Sequence, residues 1–248
     1  MGGKRSQPER ARHVAEHERS RIRDQYGVVL ALLIVTVFFS VSAPNAPWAW
    51  LATTATLAAS LMFAMLASGA QRRRVRNGMV LAAVGIGVSV AISLAHVGGD
   101  ARRYLSITSL LLTLLAMGAI GRRLRLHAEI DTLTILGAVC FYVLLGLTFA
   151  FAFECIGEFG SRPFFSAHEA GTRSDYTYFS FTTMTTVGYG DLTAEGGIGR
   201  ALAITEGLVG QIYLVTTVAA LVGNLGRTRT PLEETDGEAT EQEEGIPK

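Results

Sequence analysis

Long apolar segments separated by charged residues constrain the fold of this chain more than any other feature. Of its 248 residues, 49% are hydrophobic, and the charged residues crowd the two ends and thin out between them. A helix that crosses a bilayer needs about 20 mostly apolar residues. Six segments approach this length: residues 27–43, 48–70, 78–97, 104–121, 132–156 and 198–225. The sequence therefore predicts an all-α membrane protein with six transmembrane helices.

A further apolar segment, residues 178–184, is too short to cross a bilayer. It follows a long polar connection at residues 157–176. A short helix at membrane depth is tolerated when it is buried in protein. We therefore predict a re-entrant half-helix at residues 178–184 that enters the membrane from its outer face.

The half-helix leads directly into residues 185–191, which read TTVGYGD. Glycine has no Cβ, so Gly188 and Gly190 let the backbone alternate between left- and right-handed conformations. Such an alternation points successive carbonyl groups the same way. Carbonyl oxygens arranged in this row, together with the Thr186 hydroxyl, can replace the water shell of a dehydrated K⁺.

These seven residues match the TTVGYGD signature of the tetrameric potassium channels at every position, and residues 132–225 resemble the pore region of that family. The resemblance implies an outer helix, a pore helix, a selectivity filter and an inner helix. The filter residues expected to bind K⁺ are Thr186, Val187, Gly188, Tyr189 and Gly190. One filter strand cannot surround an ion, so we expect a homotetramer with its pore on the four-fold axis.

The resemblance also implies a set of residues that support the filter: Tyr178, Phe179, Thr182, Thr185, Asp191 and Glu206. Tyr178 and Phe179 occupy positions that are often Trp in the family, where aromatic rings brace the filter tyrosine. Some members have a Glu at the position of Thr182, and that Glu pairs with the Asp after the filter. This chain lacks it, so we do not expect acid-coupled inactivation through such a pair. Asp191 is expected to concentrate cations at the outer mouth.

Glu206 is an ionisable residue inside the predicted sixth span, and such a residue is a functional candidate by default. Two roles are open. Glu206 can hydrogen-bond the pore-helix backbone from behind, or it can act as a proton-sensitive switch. We favour the first role.

Gly210 lies where many family members have a hinge glycine. Glycine destabilises a helix by roughly 1 kcal/mol relative to alanine, which makes bending easier. The alternative role is close packing between helices, for which membrane helices often use small residues. Helical spacing from Gly210 predicts the residues that face the cavity and the lower gate: Gln211, Leu214, Val218 and Val222.

The predicted fourth span, residues 104–121, contains no Arg or Lys. A voltage-sensor helix carries basic residues at about every third position, because those charges move through the membrane field. The chain thus departs from the six-span voltage-gated channels and resembles prokaryotic-type subunits that lack a charged sensor. We predict a four-span peripheral domain at residues 27–127 that does not sense voltage, beside a pore domain at residues 128–226.

The basic residues predict the orientation in the cell membrane. With both termini in the cytoplasm, the main arginine clusters face inward, as the positive-inside rule requires. Several of these arginines are expected to contact anionic lipids: Arg72, Arg73, Arg74, Arg122, Arg123 and Arg125. Residues 1–26 are Arg-rich and form either a helix on the lipid surface or a disordered tail. Residues 227–248 are predicted to be an acidic disordered tail.

The favoured function is a passive K⁺-selective channel with weak or no voltage dependence and with K⁺ as its permeant ion. A voltage-modulated, lipid-gated or pH-gated K⁺ channel is the alternative. A subunit of a K⁺ uptake transporter and a non-conducting partner are less favoured, because the chain has one intact filter. We do not expect an enzyme, since the sequence has no phosphate-binding loop, metal-ligand cluster or nucleophile–base set.

Overall fold

The computed structural model describes residues 7–42, 47–67, 100–126, 132–166 and 171–227, together with six single positions between residues 76 and 91. The described residues form six long or medium helices and no β-strand: α1 (Gln7–Ser42), α2 (Pro47–Ala67), α3 (Asp100–Leu126), α4 (Thr132–Phe159), α5 (Arg173–Met184) and α6 (Gly197–Arg227). The prediction of an all-α fold is confirmed for this part of the chain. The predicted third span and the acidic tail from residue 228 onward lie outside the described residues.

Four helical segments of the described chain are long and apolar enough to cross a membrane: Gln25–Ser42, Arg102–Arg122, Thr134–Phe159 and Gly197–Ala220. A fifth apolar segment, Ala52–Leu66 in α2, is shorter. These segments coincide with five of the six predicted spans. The protein is therefore a helical membrane protein, and the count of six spans stays a prediction.

Helix α1 joins the Arg-rich N-terminal segment and the first span into one helix of 36 residues. Between Pro8 and Gly27 the sequence has no glycine or proline and is rich in Arg, Glu and Ala, which are strong helix formers. Pro8 itself lies in the first turn, where proline is tolerated. Residues 7–26 are therefore described as helix, and the position of this helix on the lipid surface stays a prediction.

Helix α4 is the central element of the described structure. It contacts α1, α3, α5 and α6. The main core combines α1, α2, α3 and α4, and it includes the fully buried side chains of Leu33, Leu61, Ile120, Leu144 and Phe151. Helix α6 makes its contacts with α4 and α5, so α4 separates it from the peripheral helices.

Helix α5, for which we predicted the role of a re-entrant pore helix, begins earlier than the sequence predicted. We predicted a half-helix at residues 178–184 after a polar connection ending at residue 176, whereas α5 begins at Arg173. The Thr172 side chain accepts from the Asp175 N–H, and the Asp175 carboxylate accepts from the Thr172 N–H at 2.8 Å. This capping box satisfies amide groups that have no partner within the helix. The prediction was based on the apolar residues, so it missed the polar first turn with which α5 begins.

Most of α6 is uncovered in the single chain. Only 11% of the residues in its apolar segment are buried. Its large exposed apolar side chains include Ile198, Ile204, Leu208, Ile212, Val215 and Val222. An apolar helix surface of this length has to be covered by lipid or by protein.

Candidate ion-conducting site

The backbone of residues 185–191 alternates in handedness directly after α5. Thr186, Gly188 and Gly190 have positive φ angles of 62°, 47° and 82°. Val187 and Tyr189, which lie between them, do not have positive φ angles. Thr186 is the one non-glycine residue with a positive φ angle in the described part of the chain. Left-handed backbone at a threonine is unfavourable and persists when the surroundings enforce it, which is common at functional sites. This alternation turns successive carbonyls toward the same side.

The amide groups of this segment bind the end of the pore helix. Thr185 N–H donates to Phe181 O, Thr186 N–H donates to Thr183 O, and Gly188 N–H donates to Thr182 O, at 3.0 to 3.1 Å. Carbonyls in the last turn of a helix lack partners within the helix. The amides of the predicted filter segment therefore donate hydrogen bonds to the carbonyls at the end of α5, the helix that precedes it.

The carbonyl groups of the same segment stay unpaired. Within the described part of the chain, no hydrogen bond ends on the carbonyl oxygen of any residue from 186 to 189. The side chains of Val187 and Tyr189 are 52% and 73% exposed, so the chain itself does not cover this strand. Unpaired carbonyl oxygens in a row are suited to bind a cation that has lost its water shell.

Tyr178 of α5 lies beside the predicted filter segment. Its ring lies nearly parallel to the Tyr189 ring, with 6.3 Å between centroids. Its hydroxyl also interacts with the Asp191 carboxylate. The Thr182 hydroxyl instead donates to carbonyls of its own helix, at 2.9 Å to Tyr178 O. Asp191 thus lies near Tyr178, a neighbour that sequence reasoning did not assign to it.

Phe179 lies on a different side of α5 from Tyr178. It belongs to an aromatic cluster with Phe153, Phe164, Phe165 and Tyr176. An antiparallel bridge between Phe165 and Ala194 joins the loop before α5 to the loop after the filter. This cluster joins both loops to α5.

A buried ion pair that the sequence analysis missed connects α5 to α4. Arg173 Nε lies 3.1 and 3.2 Å from the two carboxylate oxygens of Glu154. Its guanidinium also lies over the Phe151 ring, 5.3 Å from the centroid. Sequence reasoning placed Arg173 in an outer loop, although Glu154 within an apolar span was a usable signal. The pair fixes the first residue of α5 to α4.

Glu206 of α6 is fully buried behind the pore helix. Its Oε1 atom lies 2.5 Å from the Ser180 hydroxyl oxygen of α5. The contact is with a side chain, whereas the sequence favoured the pore-helix backbone. Ser180 was not singled out from the sequence.

The inner-helix residues predicted for the gate fall into two groups. Gly210 is buried against Met184, the last residue of α5. The other four are exposed in the single chain, and helical spacing places them close to one face of α6: Gln211, Leu214, Val218 and Val222. The close contact at Gly210 agrees with the packing role, and the hinge role stays a prediction.

The comparison with known proteins gives a match in the part of the chain that contains this site. Residues 132–226 match the family model described as "Ion channel". The match covers α4, α5, the filter segment and nearly all of α6. None of the curated proteins matches the chain. The match and the apolar helices together indicate a membrane-embedded ion channel and give no support for an enzyme.

Alanine at Gly210 tests the packing role. A Cβ there would lie 2.6 Å from Met184 Cγ and 3.2 Å from Met184 O, so Met184 would have to move. We expect Gly210→Ala to lower stability by about 1–3 kcal/mol, the usual cost of overpacking. Gly207→Ala is the matched control, because its Cβ would meet only Thr183 O at 3.9 Å. Thermal denaturation of both variants in detergent measures the difference. Equal midpoints would contradict the packing role.

A double-mutant cycle tests the ion pair between Glu154 and Arg173. Glu154→Gln removes the carboxylate that contacts the buried Arg173 cation, which we expect to cost about 3–5 kcal/mol. The double variant Glu154→Gln with Arg173→Met removes both charges and should be less destabilised than the sum of the single variants. Glu195→Gln, at an exposed carboxylate, serves as the control. Additive losses in the thermal midpoint would show that the two side chains are not coupled.

Proposed function

We propose that this protein is a K⁺-selective channel whose pore lies on the four-fold axis of a homotetramer. The observation that carries the proposal is the alternating backbone at residues 186–190 with its unpaired carbonyls. Four copies of such a strand would surround a K⁺ ion with carbonyl oxygens on all sides. K⁺ is then the permeant ion, bound by Thr186, Val187, Gly188 and Tyr189.

The exposed surfaces of the single chain support the tetramer. The filter strand and most of α6 are uncovered, although both belong to the segment that matches the ion channel model. A closed ring of identical subunits would place these two surfaces at its centre. In such a ring the face with Gln211, Leu214 and Val218 lines the cavity below the filter.

The composition of α3 supports weak or absent voltage dependence. Residues 104–121 of its apolar segment contain no charged residue. Its buried polar side chains are hydroxyl groups: Ser106 and Thr113, for example, donate to carbonyls of their own helix. A helix without charges in the membrane gains little energy from a change of potential.

The membrane orientation and the lipid contacts complete the proposal. We place the protein in the cell membrane with six spans and with both termini in the cytoplasm. Arg122 is exposed at the cytoplasmic end of α3, where it can meet anionic headgroups. The side chains of Arg123 and Arg125, and all of residues 72–74, lie outside the described part of the structure.

Recording in planar bilayers tests the function. With K⁺ on one side and Na⁺ on the other, we expect the current to reverse near the K⁺ equilibrium potential. Open probability should change little across voltage steps, because α3 carries no moving charge. Equal K⁺ and Na⁺ permeation would contradict K⁺ selectivity. Steep voltage gating would contradict the assignment of α3.

Two glycine variants sharpen this recording. A Cβ at Gly188 or at Gly196 would meet no atom within 4 Å in the single chain, but only Gly188 has positive φ. Alanine at Gly188 should therefore strain the filter backbone and abolish selective K⁺ current. Gly196→Ala should retain it. Selective current in both variants would contradict the role of the alternating backbone.

A further inference from the structure

Three buried oxygen atoms form a chain across the helices behind the filter. The Ser180 hydroxyl oxygen of α5 lies 2.7 Å from the Gly146 carbonyl oxygen of α4 and 2.5 Å from Glu206 Oε1 of α6. Ser180 and Glu206 are both 0% exposed. These hydrogen-bonded oxygens thus connect α5 to both α4 and α6.

The number of hydrogen atoms available to these three oxygens decides which oxygen donates and which accepts. A serine hydroxyl has one hydrogen to donate, and a backbone carbonyl can only accept. If Glu206 were ionised, it could also only accept, and one hydrogen would have to serve two short contacts. A protonated Glu206 removes the conflict. Its O–H donates to Ser180 Oγ, and the Ser180 O–H donates to the Gly146 carbonyl.

The surroundings of Glu206 also favour its neutral form. Its second carboxyl oxygen, Oε2, is buried and has no hydrogen-bond partner in the described part of the chain. Of the elements packed against it, α4 presents the Tyr142 phenol and α5 presents Ser180, and neither carries positive charge. No described cation interacts with Glu206 from its own helix. A buried carboxylate without a counterion or full hydrogen bonding is strongly unfavourable.

We propose that Glu206 is held as a neutral carboxylic acid and positions the pore helix through a hydrogen-bond relay that runs from Glu206 to Ser180 and on to the Gly146 carbonyl. Glu206 and Ser180 are then positioning residues for the filter. The proton on Glu206 is part of the support, because it supplies the second hydrogen that the chain of oxygens requires.

This relay makes the pore sensitive to alkaline pH. The neutral form is lost once the pH is high enough to ionise Glu206. The single Ser180 hydrogen then turns toward the carboxylate, and the Gly146 carbonyl loses its partner. The expected consequence is a reversible loss of current at alkaline pH. This consequence rests on the proposed function, whereas the protonation of Glu206 does not.

Infrared difference spectroscopy on the purified full-length protein at neutral pH tests the proton directly. A protonated carboxyl group has a C=O stretching band apart from that of a carboxylate. We expect this band in the wild type and in the control Glu195→Gln, and we expect Glu206→Gln to remove it. A wild-type spectrum whose carboxyl band is unchanged by Glu206→Gln would overturn the proposal.

Ser180→Ala tests whether Ser180 accepts the Glu206 hydrogen. Loss of the acceptor should shift the Glu206 carboxyl band to higher frequency, because the hydrogen bond no longer weakens the carboxyl group. A band at the wild-type frequency would show that Ser180 is not the acceptor and would overturn the relay.

The pH profile of the K⁺ current tests the consequence. The wild type should lose current reversibly at alkaline pH. In Glu206→Gln the amide can still donate to Ser180 and does not ionise, so this alkaline loss should disappear. An unchanged profile in Glu206→Gln would overturn the link to the pore. A protein that shows the carboxyl band but passes no K⁺ current would contradict the proposed function while supporting the relay.

Discussion

Backbone carbonyls that lack hydrogen bonds are the constraint on which the rest of this structure depends. Carbonyl groups inside a membrane protein have to find a partner, because lipid supplies none. Residues 186–189 leave theirs unpaired, and a threonine at position 186 adopts left-handed backbone to do so. Such a strand persists only if the surrounding structure holds it and if a ligand occupies the carbonyls. In the proposed tetramer, a cation on the symmetry axis would be that ligand.

The surrounding structure holds the strand through polar contacts inside an otherwise apolar bundle. The last turn of α5 accepts three amides of the filter segment. Its first residue, Arg173, is fixed to α4 by Glu154, and its middle is fixed to α4 and α6 through Ser180. Apolar packing alone would allow the short α5 helix to slide or rotate. Directional contacts at its start, middle and end define one position for the filter that follows.

The sequence singled out the segment in which the backbone alternates, but it did not predict the contacts that support this segment. Residues 185–191 were identified because the backbone chemistry of an ion filter requires glycine at fixed positions. The start of α5 was missed because Thr172 and Asp175 are polar, although their spacing is that of a capping box. Glu154 was visible as an acid in an apolar span, but its partner is set by tertiary packing. Ser180 has no distinguishing sequence signal, since serine is common in membrane helices.

The central claim is that four copies of residues 186–189 form a row of cation sites, and anomalous diffraction tests it most directly. Crystals of the full chain grown with Rb⁺ in place of K⁺ should show a line of anomalous peaks on a four-fold axis, between the carbonyls of Thr186 and Tyr189. Crystals grown in Na⁺ alone should lack the row. A protein without four-fold symmetry, or a four-fold assembly whose carbonyls turn away from an axis without Rb⁺ peaks, would contradict the account.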